Sequence, residues 1–215
     1  MPKIVPITEG HGDVEAVPLL LRRILQHNQW WGWEVARPKR AGSLSALKRK
    51  LDRFLGYAQS EEDCGGVLIL LDLDECCPWD EARDLAQQIR QLNPSCPVAV
   101  VLAHREYEAW FLASLSTIVG HYGLPSGLTF PGDVEQKRGV KEWLTAQMPP
   151  GKAYKETVHQ VEFTTRIDLE LAHRNSRSFR RLCHAVKELV QLAGLEVNTA
   201  ASHRGQVTPY GGENL

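Results

Sequence analysis

An α/β fold, with a mostly parallel sheet flanked by helices and a helical C-terminal extension, is what this sequence of 215 residues predicts. Three observations carry the prediction. The run VLILLDL from Val67 is aliphatic without alternation, as expected of a strand covered on both faces. A short apolar strand, KIVPIT from Lys3, leads through the turn EGHGD straight into the helical periodicity of VEAVPLLLRRIL. Strand and amphipathic helix patterns then alternate to about residue 116, the order of a parallel sheet with right-handed crossovers.

The elements follow in order. A strand is expected at 3 to 8 and a helix at 13 to 27, whose start is blurred by Pro18, since proline is tolerated only in a first turn. A strand at 33 to 37 precedes a helix at 43 to 59, marked by Leu44, Leu47, Leu51, Phe54, Leu55 and Ala58 at helical spacing. Next come a strand at 66 to 72, a helix at 79 to 92, a strand at 97 to 103 and a helix at 106 to 116. Glycine and proline crowd residues 123 to 132. Helical patterns resume at 134 to 147, 155 to 164, 167 to 174 and 178 to 192. The expected organisation is therefore an α/β domain at 1 to 120, a helical extension at 133 to 194, packed on the sheet or roofing one edge, and a disordered tail at 197 to 215.

Formal net charge is −1, so the whole molecule is no polycation and any nucleic-acid contact must come from local patches. Two stand out. Arg37, Lys39, Arg40, Lys48, Arg49, Lys50 and Arg53 face only Asp52 in their stretch, and Arg174, Arg177, Arg180 and Arg181 cluster in RNSRSFRR. A solvated helix face explains the first as readily as a phosphate track, and an acidic partner protein would suit the second as well as phosphate. The five cysteines, Cys64, Cys76, Cys77, Cys96 and Cys183, show no zinc spacing. With no leader-like or membrane-length apolar run, a cytoplasmic protein with reduced thiols is expected.

The candidate chemistry lies at strand ends, where open α/β sheets collect ligands. Period-two alternation points Asp72 and Asp74 to one side. Two carboxylates held together repel unless a cation sits between them, and hard oxygens suit Mg²⁺ or Mn²⁺. Alone, such a DxD more often caps the next helix or sits in a solvated turn. Glu9 ends the first strand, and Gly10 and Gly12 let the backbone turn tightly and approach a phosphate. His11 between them either contacts phosphate, moves a proton or merely fills the turn. Glu106 and Glu108 follow the strand at 97 to 103, where acids also serve simply to offset a helix dipole. That explanation leaves out the coincidence of three strand ends each delivering carboxylates to one edge.

In this order TEGHGDVEAVPLLLRRIL, LDLDECC and HREYEAWFLAS, with the later YKETVHQ and SRSFRRL, resemble the TOPRIM domain of topoisomerases, primases and the overcoming-lysogenization-defect nucleases. They are more closely similar to a small bacterial TOPRIM-like family of unknown function, often found beside an ATPase in anti-phage defence operons. The resemblance covers roughly residues 3 to 190 and implies a TOPRIM-like (Rossmann-like) sheet. It also implies Glu9 as general acid/base or metal ligand, Asp72 and Asp74 as Mg²⁺ ligands, and Glu108, with Glu106, as further ligands. A lysine holding the scissile phosphate is sought among Lys141, Lys152 and Lys155, with Lys155 first because YKETVHQ matches the family; Lys141, Arg177 and Arg180 are further phosphate candidates. The expected function is a Mg²⁺- or Mn²⁺-dependent nuclease of DNA or RNA, the toxic effector of a defence system controlled by a partner ATPase. The alternative is a non-catalytic assembly or regulatory subunit docking on that ATPase. Self-association stays open.

Overall fold

The computed structural model describes residues 1–73, 77–198 and 207–208. Six strands are described: β1 Lys3–Thr8, β2 Glu34–Val35, β3 Lys39–Arg40, β4 Cys64–Leu73, β5 Val98–His104 and β6 Val207–Thr208. They form one sheet in the order β2, β1, β4, β5, β6, with β3 also paired to β1, and every pairing is parallel. Helices α1 Asp13–His27, α2 Leu44–Arg49, α3 Leu51–Gln59, α4 Pro78–Gln91 and α5 Ala109–Ala113 alternate with these strands. Then come α6 Val140–Gln147, α7 Val161–Thr164, α8 Leu169–Asn175 and α9 Arg177–Asn198. The result is the mostly parallel, Rossmann-like α/β architecture that the unbroken aliphatic run predicts.

Strand alternation separates two cores. Val5, Ile7, Val67, Ile69, Leu71, Val98, Val100 and Leu102 pack against Leu47, Leu51, Leu55, Ala82, Leu85 and Ile89 of α2, α3 and α4. The residues between them, Ile4, Leu68, Leu70, Ala99, Val101 and Ala103, face Leu20, Ile24, Trp110, Phe111, Phe179 and Val186 of α1, α5 and α9. A strand buried on both faces has no polar side to reveal its period, which is why the run at Val67 reads as continuous. The segments after residue 120 join the second core, with α9 lying across β4 and β5. Trp110 pins this junction: its Nε1 donates to Ser178 Oγ at 2.9 Å, and its ring meets Phe179 edge-on.

Local chemistry moves several boundaries. α1 starts at Asp13 and runs through Pro18, because buried Ala16, Val17, Leu20, Leu21, Ile24 and Leu25 outweigh one missing amide. The single helix expected at 43 to 59 is two. Ser43 caps α2 through Ala46 N, and Lys50, at φ −136° and ψ 33°, turns the chain before α3. The helix expected at 106 to 116 shortens to α5, followed by a tight turn at Leu115–Thr117. Most of the tail expected to be disordered, 199–206 and 209–215, lies outside the described residues; Val207–Thr208 pairs with β5. Among the described residues no helix is long and apolar enough to cross a membrane.

Candidate functional site

The C-terminal edge of the sheet holds the acids. In register, Thr8 of β1 lies beside Leu70 of β4, and Asp72 lies beside Ala103 of β5. Asp72 shares strand parity with Leu68 and Leu70, so its carboxylate opens toward the α1 and α5 side. Glu9 leaves β1 and accepts the Asp72 amide proton on Oε2 at 3.3 Å. After β5, Arg105 takes a left-handed φ of 72°, and the chain folds back so that Tyr107 N donates to Asp72 Oδ1 at 2.9 Å.

This fold-back brings in Glu108, which is 1% exposed. Its Oε1 accepts from Tyr154 Oη at 2.9 Å, whereas its Oε2 is buried without a hydrogen bond among the described residues. Lys141 Nζ approaches that oxygen at 3.8 Å and holds Glu156 at 2.5 Å. Burial raises the Asp72 carboxyl well above the usual range, with Glu108, Asp13 and Glu9 adding to the rise and Lys141 opposing it. Burial likewise lifts Glu108 to about 8, against the pull of Lys141 and Tyr154. Lys141 itself loses from desolvation, but Glu108, Glu156 and Asp72 outweigh that and hold it charged. Among the described residues the crevice thus sets several carboxyls around the Lys141 ammonium.

The turn after β1 serves a different end from the phosphate cradle its glycines suggest. Gly10 N donates to Asp13 Oδ2 at 2.7 Å, and Asp13 Oδ1 accepts from Gln160 Nε2 at 2.8 Å. A Cβ on Gly12 would stand 1.9 Å from Gln160 Oε1 and 3.0 Å from the Glu156 carbonyl oxygen. The Gly10 amide is committed to Asp13, and Gly12 is small because the π-helical turn Glu156–Gln160 presses on it. His11 is exposed. Gly12→Ala is expected to cost roughly 1–3 kcal/mol through overpacking, measured by urea denaturation; a neutral substitution would show the contact is loose.

Other expected residues fall as follows. Glu106 caps α6: its Oε1 accepts from Gly139 N at 3.0 Å and Val140 N at 3.3 Å, and its Oε2 from Lys141 N at 3.3 Å. That leaves Glu108 as the acid of the pair facing Asp72. Lys155 is exposed, and its side chain makes no polar contact among the described residues; the lysine at the acids is Lys141. Lys152 is also exposed. Arg177 and Arg180 line a separate cleft of about 440 Å³ with Asp133, Glu135 and Asn175, and Arg180 Nη1 donates to the His173 and Arg174 carbonyls. The structure therefore does not bring these arginines to the acids. Asp74 lies outside the described residues, and among those described no three His, Cys, Asp or Glu side chains are grouped to hold a metal ion.

Asp13, Tyr154, Glu156 and Gln160 are the participants that sequence reading missed. Asp13 closes the EGHGD turn, and Tyr154, Glu156 and Gln160 sit in YKETVHQ beside the favoured Lys155. No spacing rule links that segment to Glu108, since the link is a hydrogen bond spanning 46 residues.

A family model described as Domain of unknown function (DUF4276) matches residues 8–187. No curated protein and no solved structure matches the chain.

Proposed function

The chain belongs to the DUF4276 family, and from that premise we propose that it is a phosphodiester hydrolase using Mg²⁺ or Mn²⁺ to cut nucleic acid. The observation carrying this reading is that Asp72 lies near enough to Glu108 and Glu9, each from a separate strand end, for their charges to raise its carboxyl, while Glu108 is itself buried and raised. Repelling carboxylates in a buried crevice are costly as structure and useful as a cation site. Their donor chemistry fits the ion: hard carboxyl oxygens, including a buried Glu108 oxygen without a hydrogen bond among the described residues.

Asp72 and Glu108 would hold the cation, with Glu9 beside them. When bound, the cation supplies charge neutralisation at the phosphate and an acidified water. Glu9, positioned by the Asp72 amide, takes or returns the proton. Lys141, oriented by Glu156, holds a non-bridging phosphate oxygen. Buried Tyr154 fixes the Glu108 rotamer and excludes water from that side.

A nucleic-acid substrate is supported by the basic face. Lys39 is paired with Glu61 and Lys48 with Glu81, but Arg37, Arg40, Arg49, Lys50 and Arg53 are exposed without an ion pair among the described residues. Arg40 pairs with Thr8 in the sheet, one residue before Glu9. Replacing Arg40, Arg49, Lys50 and Arg53 together with alanine is expected to weaken binding by roughly tenfold or more. The slope of log affinity against log salt should fall by about 2–4. Fluorescence anisotropy across a salt series measures both, and an unchanged slope would remove this face from the substrate path.

The finer reading, a TOPRIM-type toxic effector of anti-phage defence controlled by a partner ATPase, rests on the resemblance of TEGHGD, LDLD and EYEAW alone. The deciding experiment incubates the full chain with plasmid, linear duplex DNA and total RNA in Mg²⁺, Mn²⁺ or EDTA, with and without any ATPase encoded beside it. Metal-dependent cleavage of at least one substrate is expected. Intact substrates in every arm would overturn hydrolysis and favour a docking subunit.

A further inference from the structure

Cys64 opens β4, and Cys96 lies in the connection that leads from α4 into β5. Because Val67 and Val98 are in register, these two cysteines reach the same end of adjacent strands. Their sulfurs are 3.6 Å apart, in hydrogen-bonding contact. Cys64 is half-buried, with an approach from solvent; Cys96 is 5% exposed, and Gln59 Nε2 contacts its sulfur at 3.7 Å. Of the remaining described cysteines, Cys77 is exposed, and Cys183 is half-buried against the second core, its thiol pushed up to about 12 by burial.

We propose that Cys64 and Cys96 are a modification site, a dithiol that closes reversibly to a disulfide when a peroxide takes its two electrons. Cys64 is the attacking sulfur. The sulfur contact with Cys96 lowers its pKa, with help from Lys39, against the cost of burial and the nearby Glu61. The Cys64 thiolate attacks one peroxide oxygen; an S–O bond forms, the O–O bond breaks, and the leaving hydroxide takes a proton to become water. Cys96 then attacks the Cys64 sulfur: the S–S bond forms, the S–O bond breaks, and the Cys96 proton leaves with the hydroxyl as a second water. Thiol contact must tighten to bond length, and Cys96, outside any strand, can supply that movement.

This site is independent of the acidic crevice. Cys64 begins the strand that Asp72 nearly ends, roughly 25 Å away at about 3.3 Å per residue. Closure would tie the start of β4 to the lead-in of β5, enclosing α4 in a covalent loop.

The test treats the fully reduced, full-length chain with hydrogen peroxide, blocks free thiols with iodoacetamide and maps unreduced peptides by mass spectrometry. A Cys64 to Cys96 cross-linked peptide is expected, lost on dithiothreitol treatment, with a rise in Tm of roughly 5 °C or more in the oxidised protein. In Cys96→Ser, Cys64 should accumulate as a sulfenic acid captured by dimedone; in Cys64→Ser, buried Cys96 should stay unmodified. Recovery of both cysteines as free thiols, or linked only to other cysteines or other chains, would overturn the proposal. The wild-type peptide map alone separates these outcomes, even if a variant fails to fold.

Discussion

Asp72→Asn is expected to lower metal-dependent hydrolysis by at least about 10²–10³-fold while leaving the protein folded and binding nucleic acid as before. The asparagine carbonyl can keep the bond from Tyr107 N, so the fold-back after β5 survives. What disappears is one negative charge in a crevice where burial, Glu108, Asp13 and Glu9 all oppose it. Tm should therefore stay level or rise, which separates lost chemistry from lost structure. A single-turnover assay in Mg²⁺, anisotropy binding in Ca²⁺ and a thermal melt decide the matter. Equal cleavage by the two proteins would remove Asp72 from the reaction and with it the proposed catalytic centre.

Stability without divalent cations is expected to fall as pH rises, and Glu108 sets the window. Burial lifts its carboxyl from 4.5 to about 8, so between those values the folded state keeps a proton that the unfolded chain releases. The stabilisation is complete below about 4.5 and is lost as pH climbs through about 8. Over that interval the swing is roughly 5 kcal/mol. Glu108→Gln should flatten this part of the curve, so the difference between the two proteins reports Glu108 together with its coupling to Asp72. Lys141→Met should move the loss to higher pH, because the ammonium that favours the Glu108 anion is gone. Melts in EDTA across pH 5 to 9 measure all three, and matching slopes for wild type and Glu108→Gln would contradict the assigned cause. If the crevice holds a cation as proposed, added Mg²⁺ should restore stability most strongly at the alkaline end, where Glu108 is ionised.

Several elements could be read from residues alone because their cause is local. The strands around Val5, Ile69 and Val100 announce themselves by dense aliphatic side chains, and the ends of such strands are where acids must surface. The break at Lys50 could not be read, since Leu44 to Ala58 keeps helical spacing across it. Glu106 and Glu108 were indistinguishable in sequence: both follow β5, and only the arrival of α6, from more than 30 residues later, gives Glu106 three amides to accept. The same arrival selects Lys141 over Lys155. The glycines of EGHGD read as an opening for phosphate, whereas Gly12 answers a contact with Gln160 made 148 residues away in the chain.

That a parallel sheet forms, and that Glu9, Asp72 and the Glu106/Glu108 pair emerge along one edge of it, follows from the residues in order. Period-two alternation and strand burial are properties of the local chain. Which of those acids face one another, which is spent as a helix cap and which cation stands among them is set by the folded chain. These outcomes depend on long-range packing, above all on how the segments from α6 onward fold back over the crevice, and no local pattern encodes the angle at which they return.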